Sequence, residues 1–284
     1  MRSCPITPHI ERLVDLTIEE DLGRGDVTTE ALLLDGVLAE GQIVAKESLV
    51  VCGMDMAEYV FARIGPDLRI SSLVSDGDEI AAGAELMVVT GSAAQMLQAE
   101  RAALNFLMRM SGVATATRQF VSLVSKAGGR AKVVDTRKTL PGWRVLDKYA
   151  VACGGGGNHR VDLGSGVLIK DNHIAACGSV WEAITRARRH APHTLRIEVE
   201  VTNLEELAEA LEAAPDILLL DNMEPGMLEE AVSIVDGRAL TEASGGVNVD
   251  TLAAVARSGV DLVSVGALTH SARAVDLSMR IRLT

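Results

Sequence analysis

The stretch from Val133 to Ile174 reads VVDTRKTLPGWRVLDKYAVACGGGGNHRVDLGSGVLIKDNHI. Arg137, Lys138, Arg144, Lys148, Arg160 and Lys170, with His159 and His173, sit here among turns, a four-glycine run and short apolar runs. The chain around it is acidic, with 27 basic and 39 acidic residues and a net charge of −12. A positive cluster inside an acidic protein is a focused field that suits a small polyanion. Its short β-rich runs, Lys132–Asp135 and Val167–Ile169, open a rhythm of alternating strand and helix that continues downstream.

That rhythm sets the fold class. Leu195–Val201, Asp216–Leu220, Ala239–Glu242 and Leu262–Val265 read as further strands. Trp181–His190, Leu204–Ala213, Met227–Val235 and Val249–Arg257 read as helices between them. Repeated βα units favour a parallel sheet under covering helices. Six strands fall short of a complete eight-stranded barrel, so the expected closure is an irregular, incomplete (β/α) barrel, with an open doubly wound sheet as the alternative.

Upstream the pattern is mixed α/β. Pro8–Asp21 has apolar residues at helical spacing. Val37–Val51 reads as a strand or hairpin, Met54–Ile64 as a helix, and Leu68–Val74 and Ala84–Thr90 as strands. Ala93–Met110 is a long helix rich in alanine and leucine. The expected divisions are residues 1–112 as an N-terminal α/β sandwich-like domain, 113–268 as the barrel, and 269–284 as a segment packing back on the first domain.

Composition narrows the function. Aromatic residues are 2% of the chain, which leaves little for stacking single-stranded bases, and the acidic balance gives no footprint for a phosphate backbone. No nucleic-acid partner is expected. No apolar run reaches the ~20 residues of a membrane span, and the N-terminus lacks the apolar core of a secretory signal. Cys4, Cys52, Cys153 and Cys177 are scattered without a C-x-x-C pair. A reduced, cytoplasmic setting is expected, and zinc or iron–sulfur ligation is not. The histidines give no metal cluster by spacing.

The polar residues fall at strand C-terminal ends, where parallel barrels gather catalytic groups. Asp135, Lys170, Asp221, Glu242 and Gly266 end strands, and Glu198 and Glu200 lie on one. So many ionisable groups at one edge are costly without a charged ligand. Thr136, Arg137 and Lys138 follow a strand, and adjacent cations of this kind suit a phosphate or dicarboxylate. The glycines at 154–157 free the backbone that delivers His159 and Arg160. Lys170 is either an anion ligand or a Schiff-base nucleophile. Glu198 and Glu200 share a face. With Asp221 they either bind Mg²⁺ or stabilise a developing cation. Should one of the two pair with a lysine across the sheet, Glu198 is the one expected to do so. Ser244-Gly245-Gly246 and Val265-Gly266-Ala267, each before a helix, read as phosphate cradles. Arg101, on the long helix, could project into a neighbour's site.

Ordered motifs run through nearly the whole chain. They are E-D-x-G-x-G-D-x-T-T at Glu20–Thr29, E-R-x-x-L-N at Glu100–Asn105, S-G-V-A-T at Ser111–Thr115 and D-T-R-K-T at Asp135–Thr139. K-Y-A-V at Lys148–Val151, G-G-G-x-N-H-R at Gly154–Arg160, L-I-K-D-N-H at Leu168–His173 and E-V-E-V at Glu198–Val201 continue them. L-L-D-N at Leu219–Asn222, E-A-S-G-G at Glu242–Gly246 and G-A-L-T-H-S at Gly266–Ser271 complete the set. On these residues the chain resembles the quinolinate phosphoribosyltransferase family.

The resemblance implies phosphoribosyl transfer from phosphoribosyl pyrophosphate to quinolinate with Mg²⁺, giving nicotinate mononucleotide, pyrophosphate and CO2 in NAD biosynthesis. By motif, Arg101, Arg137, Lys138, His159, Arg160 and Lys170 would hold the anions, with Thr136 and Glu198 also at the substrate. Glu200 and Asp221 would serve Mg²⁺ and the ribose, and Lys138, Lys170, Glu200 and Asp221 form the catalytic set. Ser244, Gly245, Gly246, Val265, Gly266 and Ala267 would cradle the 5′-phosphate. A homodimer or larger assembly is implied, with Arg101 entering the neighbouring site. The alternative is a paralogous enzyme of the same fold with another acceptor. Ser165 stands where an acidic residue is expected, and Leu140 and Trp143 depart from the usual residues beside Pro141-Gly142.

Overall fold

The computed structural model describes residues 3–34 and 36–284. The first elements are α1 (Pro8–Leu22), α2 (Val27–Leu32), β1 (Leu38–Ala45), β2 (Leu49–Val50), α3 (Met54–Ile64), β3 (Arg69–Ser72), β4 (Glu79–Ile80) and β5 (Glu85–Ser92). The long helix α4 (Ala93–Lys126) follows, then β6 (Lys132–Val134), α5 (Arg144–Cys153), β7 (Val167–Ile169), α6 (Asp171–Cys177), α7 (Val180–His190) and β8 (Ile197–Val201). The chain ends with α8 (Leu204–Glu212), β9 (Ile217–Asp221), α9 (Pro225–Val235), β10 (Leu240–Ser244), α10 (Leu252–Arg257), β11 (Leu262–Ser264), α11 (Ala267–His270) and β12 (Leu277–Leu283).

These elements form two compact units. One holds the described residues through Ala116, Leu140–Gly155 and Ala272–Thr284; the other holds Thr117–Thr139 and Gly156–Ser271. The division is more interleaved than three consecutive segments. Helix α5 lies inside the span expected to be barrel, yet it belongs to the first unit. Its Trp143 stacks on Phe106 at 4.9 Å between ring centroids. Its buried Asp147 takes a hydrogen bond from Arg109 at 3.0 Å. Contacts this distant in sequence leave no mark on local periodicity.

The first unit is built on an antiparallel sheet of order β12-β1-β5-β3. Its central strand pairs on both sides, with Gly41 opposite Ile281 and Val89. Of the strand or hairpin expected across Val37–Val51, the strand forms as β1. After β1 the chain leaves the sheet, and β2 pairs with β4 instead. Helix α4 runs unbroken through the boundary expected at 112. A glycine inside a helix is usually unfavourable by roughly 1 kcal/mol, and here close approach requires it. A Cβ on Gly112 would lie 2.1 Å from the Arg273 carbonyl oxygen. Gly112→Ala is therefore expected to destabilise the fold by about 2 kcal/mol or more, as overpacking does, read as a lower urea midpoint.

In the second unit six parallel strands, in the order β6-β11-β10-β9-β8-β7, make one sheet. Placing the first strand beside the last is what curls such a sheet toward closure. Val134, Val167, Glu198, Ile217, Glu242 and Leu262, one from each strand, line a common interior cavity of about 340 Å³. Between β6 and β7, Gly157 makes a parallel bridge to Val134. The result is the incomplete barrel expected. Buried Val199, Leu218, Leu220, Ala243 and Val263 supply apolar packing in the strands. Glu198 and Glu242 are buried with them, so the barrel interior is charged.

Candidate active site

Where the six parallel strands end, the side chains after them form a cavity of about 650 Å³. Thr136, Arg137, Lys138, His159, Arg160 and Lys170 line it, together with Glu200, Asp221, Glu242 and the Ser244-Gly245-Gly246 turn. Cations thus line the same space as carboxylates, which the motif order in sequence cannot show.

Each member is held by its own local structure. Asp135, fully buried at the end of β6, accepts the backbone N–H of His159 and the side-chain amide of Asn158, both at 2.8 Å. It fixes the loop that carries His159 and Arg160. Arg160 donates to the Gly166 carbonyl at 2.9 Å. Burial and then the charge of Arg137 pull its pKa below the usual guanidinium value. Two guanidiniums that repel in this way favour an anion between them. Lys138 is exposed, and its carbonyl accepts the Thr269 hydroxyl at 2.7 Å. Lys170 donates to Glu200 Oε2 at 2.6 Å. The Lys170 side chain is 47% exposed, and an ion pair this open contributes little stability. An arriving anion can therefore take Lys170 at small cost. The Lys170 backbone N–H donates to His173 Nδ1 at 2.9 Å, so His173 holds the turn that presents the lysine.

Deeper in the barrel, His159 Nδ1 accepts the Arg160 backbone N–H at 2.7 Å. Its Nε2 faces Glu198 at 3.1 Å and Glu242 at 3.7 Å. These distances place the Nε2 proton toward the two carboxylates.

Residues 26–111 match the family model described as the quinolinate phosphoribosyl transferase N-terminal domain, and residues 113–280 match the corresponding C-terminal domain. The chain belongs to the quinolinate phosphoribosyltransferase family. It is 43% identical over 277 residues to a probable nicotinate-nucleotide pyrophosphorylase (carboxylating) of Methanocaldococcus jannaschii, covering 95% of this chain and 96% of that one. It is 38% identical over 294 residues to a mitochondrial quinolinate phosphoribosyltransferase (decarboxylating) of Nicotiana glauca, covering 97% and 83%. The nicotinate-nucleotide pyrophosphorylase structure from Francisella tularensis superposes with a TM-score of 0.92 at 37% identity, covering 99% of this chain and all of that one.

Several expectations for the quinolinate phosphoribosyltransferase site need adjusting. Glu200, not Glu198, pairs with a lysine; Glu198 faces His159 from inside the barrel. Val265 is buried, and its N–H donates to the Val134 carbonyl at 2.9 Å, so it has none to offer a phosphate. Gly266 and Ala267 are not among the cavity-lining residues. A Cβ on Gly266 would crowd Lys138 Cδ at 3.2 Å, so this glycine makes room for the lysine. The Ser244–Gly246 turn does reach the cavity, with Gly245 and Gly246 in the left-handed region at φ 87° and 62°. A Cβ on Gly245 would meet Asn222 Oδ1 at 2.2 Å. Helix α10 begins only at Leu252, so the turn brings no helix terminus to the cavity. Arg101 is exposed on α4 in the first unit.

The departures from the family pattern have local accounts. Ser165 Oγ accepts the N–H groups of Val161 and Asp162 at 2.9 and 3.0 Å, doing the acceptor work an acidic residue would do. Trp143 makes the Phe106 stack, and Leu140 is 41% exposed. The sequence places Asp135 and Glu242 at strand ends but gives neither a role, and Asn158 draws no notice. The available signal was a lone carboxylate in each β-rich run.

Glu242 gives the site a pH signature. Burial, and then the charge of Glu198, push its carboxyl up to about 7, against the opposing pull of His159. The folded state therefore holds this proton more tightly than the unfolded chain. Its stabilising contribution is full below the ordinary value of 4.5 and is lost as pH rises through about 7. The unfolding free energy from urea titrations should fall between about pH 5 and about pH 8, by on the order of 3 kcal/mol. Glu242→Gln should flatten that part of the profile.

Proposed function

We propose that the cavity at the strand ends transfers phosphoribose from phosphoribosyl pyrophosphate to quinolinate and then decarboxylates the product to nicotinate mononucleotide. The observation that carries this reading is a single cavity lined by Arg137, Lys138, Arg160 and Lys170 on one hand and by Glu200 and Asp221 on the other. Quinolinate brings two carboxylates, and the sugar donor brings a phosphate and a pyrophosphate. Charge-assisted hydrogen bonds contribute roughly 1.5–3 kcal/mol each, which orients as well as binds.

In this account the lone pair of the ring nitrogen attacks the anomeric carbon, and the bond to pyrophosphate breaks with its electron pair leaving on oxygen. Glu200 and Asp221 stabilise the positive charge that builds at that carbon. Arg137, Lys138, Arg160 and Lys170 hold the anionic groups, and the Ser244–Gly246 turn holds the 5′-phosphate. The ring is then a pyridinium. Its bond to the adjacent carboxylate breaks, CO2 leaves, and the electron pair left on the ring carbon takes a proton from water. The cations must hold that carboxylate without over-stabilising it, since only stronger binding of the transition state accelerates the step.

Glu200 and Asp221 would hold Mg²⁺. Oxygen donors on the cavity wall fit a hard cation that is commonly bound by one or two carboxylates plus substrate phosphates. When bound, it would neutralise charge on the departing pyrophosphate. Four free cysteines suit a reducing compartment such as the cytoplasm. Among the described residues no helix is long and apolar enough to cross a membrane. The assembly we propose is a homodimer or larger, in which Arg101 serves the neighbouring subunit's site.

Acceptor competition tests the reading. Pyridine-2,3-dicarboxylate should compete for the site far better than pyridine monocarboxylates, because a second carboxylate engages a second cation. Equal competition would point to a different acceptor.

A further inference from the structure

Cys52 and Cys153 lie far apart in sequence, yet the first unit brings both to one carboxylate. The thiols of Cys52 and Cys153 and a carboxylate oxygen of Asp76 all lie within 4.8 Å of one another. That spacing admits one small tetrahedral ion. With metal–sulfur bonds of about 2.3 Å and metal–oxygen bonds of about 2.0 Å, neighbouring ligand atoms stand roughly 3.5–3.8 Å apart. Cys4 belongs to the same neighbourhood: its buried thiol feels the charges of Asp76 and Cys153, and Cys52 in turn feels Cys4.

The donors are also well supported. Cys52 donates its backbone N–H to Ser111 Oγ at 2.9 Å, and the same hydroxyl donates back to the Cys52 carbonyl at 3.1 Å. Asp76 Oδ1 accepts the N–H groups of Gly53 and Met54 at 2.9 and 3.0 Å, and Oδ2 accepts the Tyr149 hydroxyl at 2.9 Å. Hydrogen bonds of this sort orient the ligands of metal sites. The groups that act on Asp76 are two backbone amides, a phenol and the Asp55 carboxylate, and none of these is a cation. None of these groups offsets the charge of the half-buried Asp76 carboxylate, and a bound divalent ion would do so.

We propose that Cys52, Asp76 and Cys153 bind one soft divalent cation of the zinc type. Thiolate donors select against Mg²⁺ and Ca²⁺, and a tetrahedral set rich in sulfur selects zinc. Binding releases the thiol protons, and an ion held by three chain segments braces the fold. It ties the N-terminus of α3 to the 75–78 turn and to the last turn of α5. The site is separate from the carboxylates assigned to Mg²⁺ and stands whether or not the proposed reaction is right. Sequence spacing argued against zinc because the ligands come from segments with no C-x-x-C pair.

The test uses the full chain, purified under reducing conditions from zinc-supplemented culture. Elemental analysis should find roughly one zinc per chain, retained on desalting. A strong chelator should remove it and lower Tm by several degrees. Cobalt(II) added to the stripped protein should give a thiolate-to-cobalt charge-transfer band. Cys153→Ser should cut bound zinc at least tenfold, whereas Cys177→Ser, at the end of α6, should leave it unchanged. Should Cys153→Ser fail to fold, the cobalt spectrum of the unmutated chain and the zinc content of Cys52→Ser carry the test. The proposal is overturned if reduced, folded, stripped protein binds neither zinc nor cobalt through thiolate. It is equally overturned if Cys52 and Cys153 are found joined as a disulfide in protein purified without reductant.

Discussion

Lys138→Ala and Lys170→Ala are each expected to lower kcat by about a hundredfold or more, the scale on which a single electrostatic contact to a transition state acts. Both lysines are exposed at the cavity wall, so neither substitution opens a hole in the core, and Tm should hardly move. The two should differ in KM. Lys170 is already paired with Glu200 at 2.6 Å, so its loss also releases a carboxylate into the cavity. That carboxylate repels the incoming anions, and Lys170→Ala should raise KM for phosphoribosyl pyrophosphate more than Lys138→Ala does. Lys170→Arg should not restore kcat fully, because a planar fork does not replace a point charge. Steady-state kinetics on folded variants check this, and near-normal kcat in both alanine variants would remove these lysines from the catalytic set.

The second large effect concerns Arg101. Arg101→Ala alone should be nearly inactive, and so should Lys138→Ala alone. If Arg101 serves the neighbouring subunit, mixing the two variants creates heterodimers with one intact site, because Lys138 from one chain meets Arg101 from the other. After random exchange between symmetric dimers, about a quarter of the wild-type activity should return. If Arg101 acts within its own chain, every site carries a defect and mixing restores nothing. Activity measured against time after mixing separates the two cases.

The sequence made the strands of the second unit legible because each is a short β-rich run bounded by turn residues. The helices between them carried clear periodicity. What it hid were contacts between distant segments. Helix α5 does not read as a helix at all, and it joins the first unit through Asp147 on Arg109 and Trp143 on Phe106. The long helix reads only to Met110, yet it runs on to Lys126 with Gly112 packed against Arg273. In the site, the motif order identified Lys138, Arg160, Lys170, Glu200 and Asp221, and all line one cavity. It did not distinguish the facing of Glu198 from that of Glu200. Their shared face was readable from strand periodicity, but their partners Lys170 and His159 come from different loops. Val265 failed as an anion ligand for a similar reason: its N–H is used by the neighbouring strand. The meeting of Cys52 and Cys153 at Asp76 is the extreme case, since nothing local links them.

The central claim is a carboxylating transferase reaction at the strand ends. Its most direct test mixes the purified protein with quinolinate labelled in the 2-carboxylate, phosphoribosyl pyrophosphate and Mg²⁺, and follows nicotinate mononucleotide and labelled CO2 together. The account predicts that both appear in equal amounts and that omitting phosphoribosyl pyrophosphate abolishes both. Folded protein that releases neither, or that forms a nucleotide still carrying the label, would contradict it.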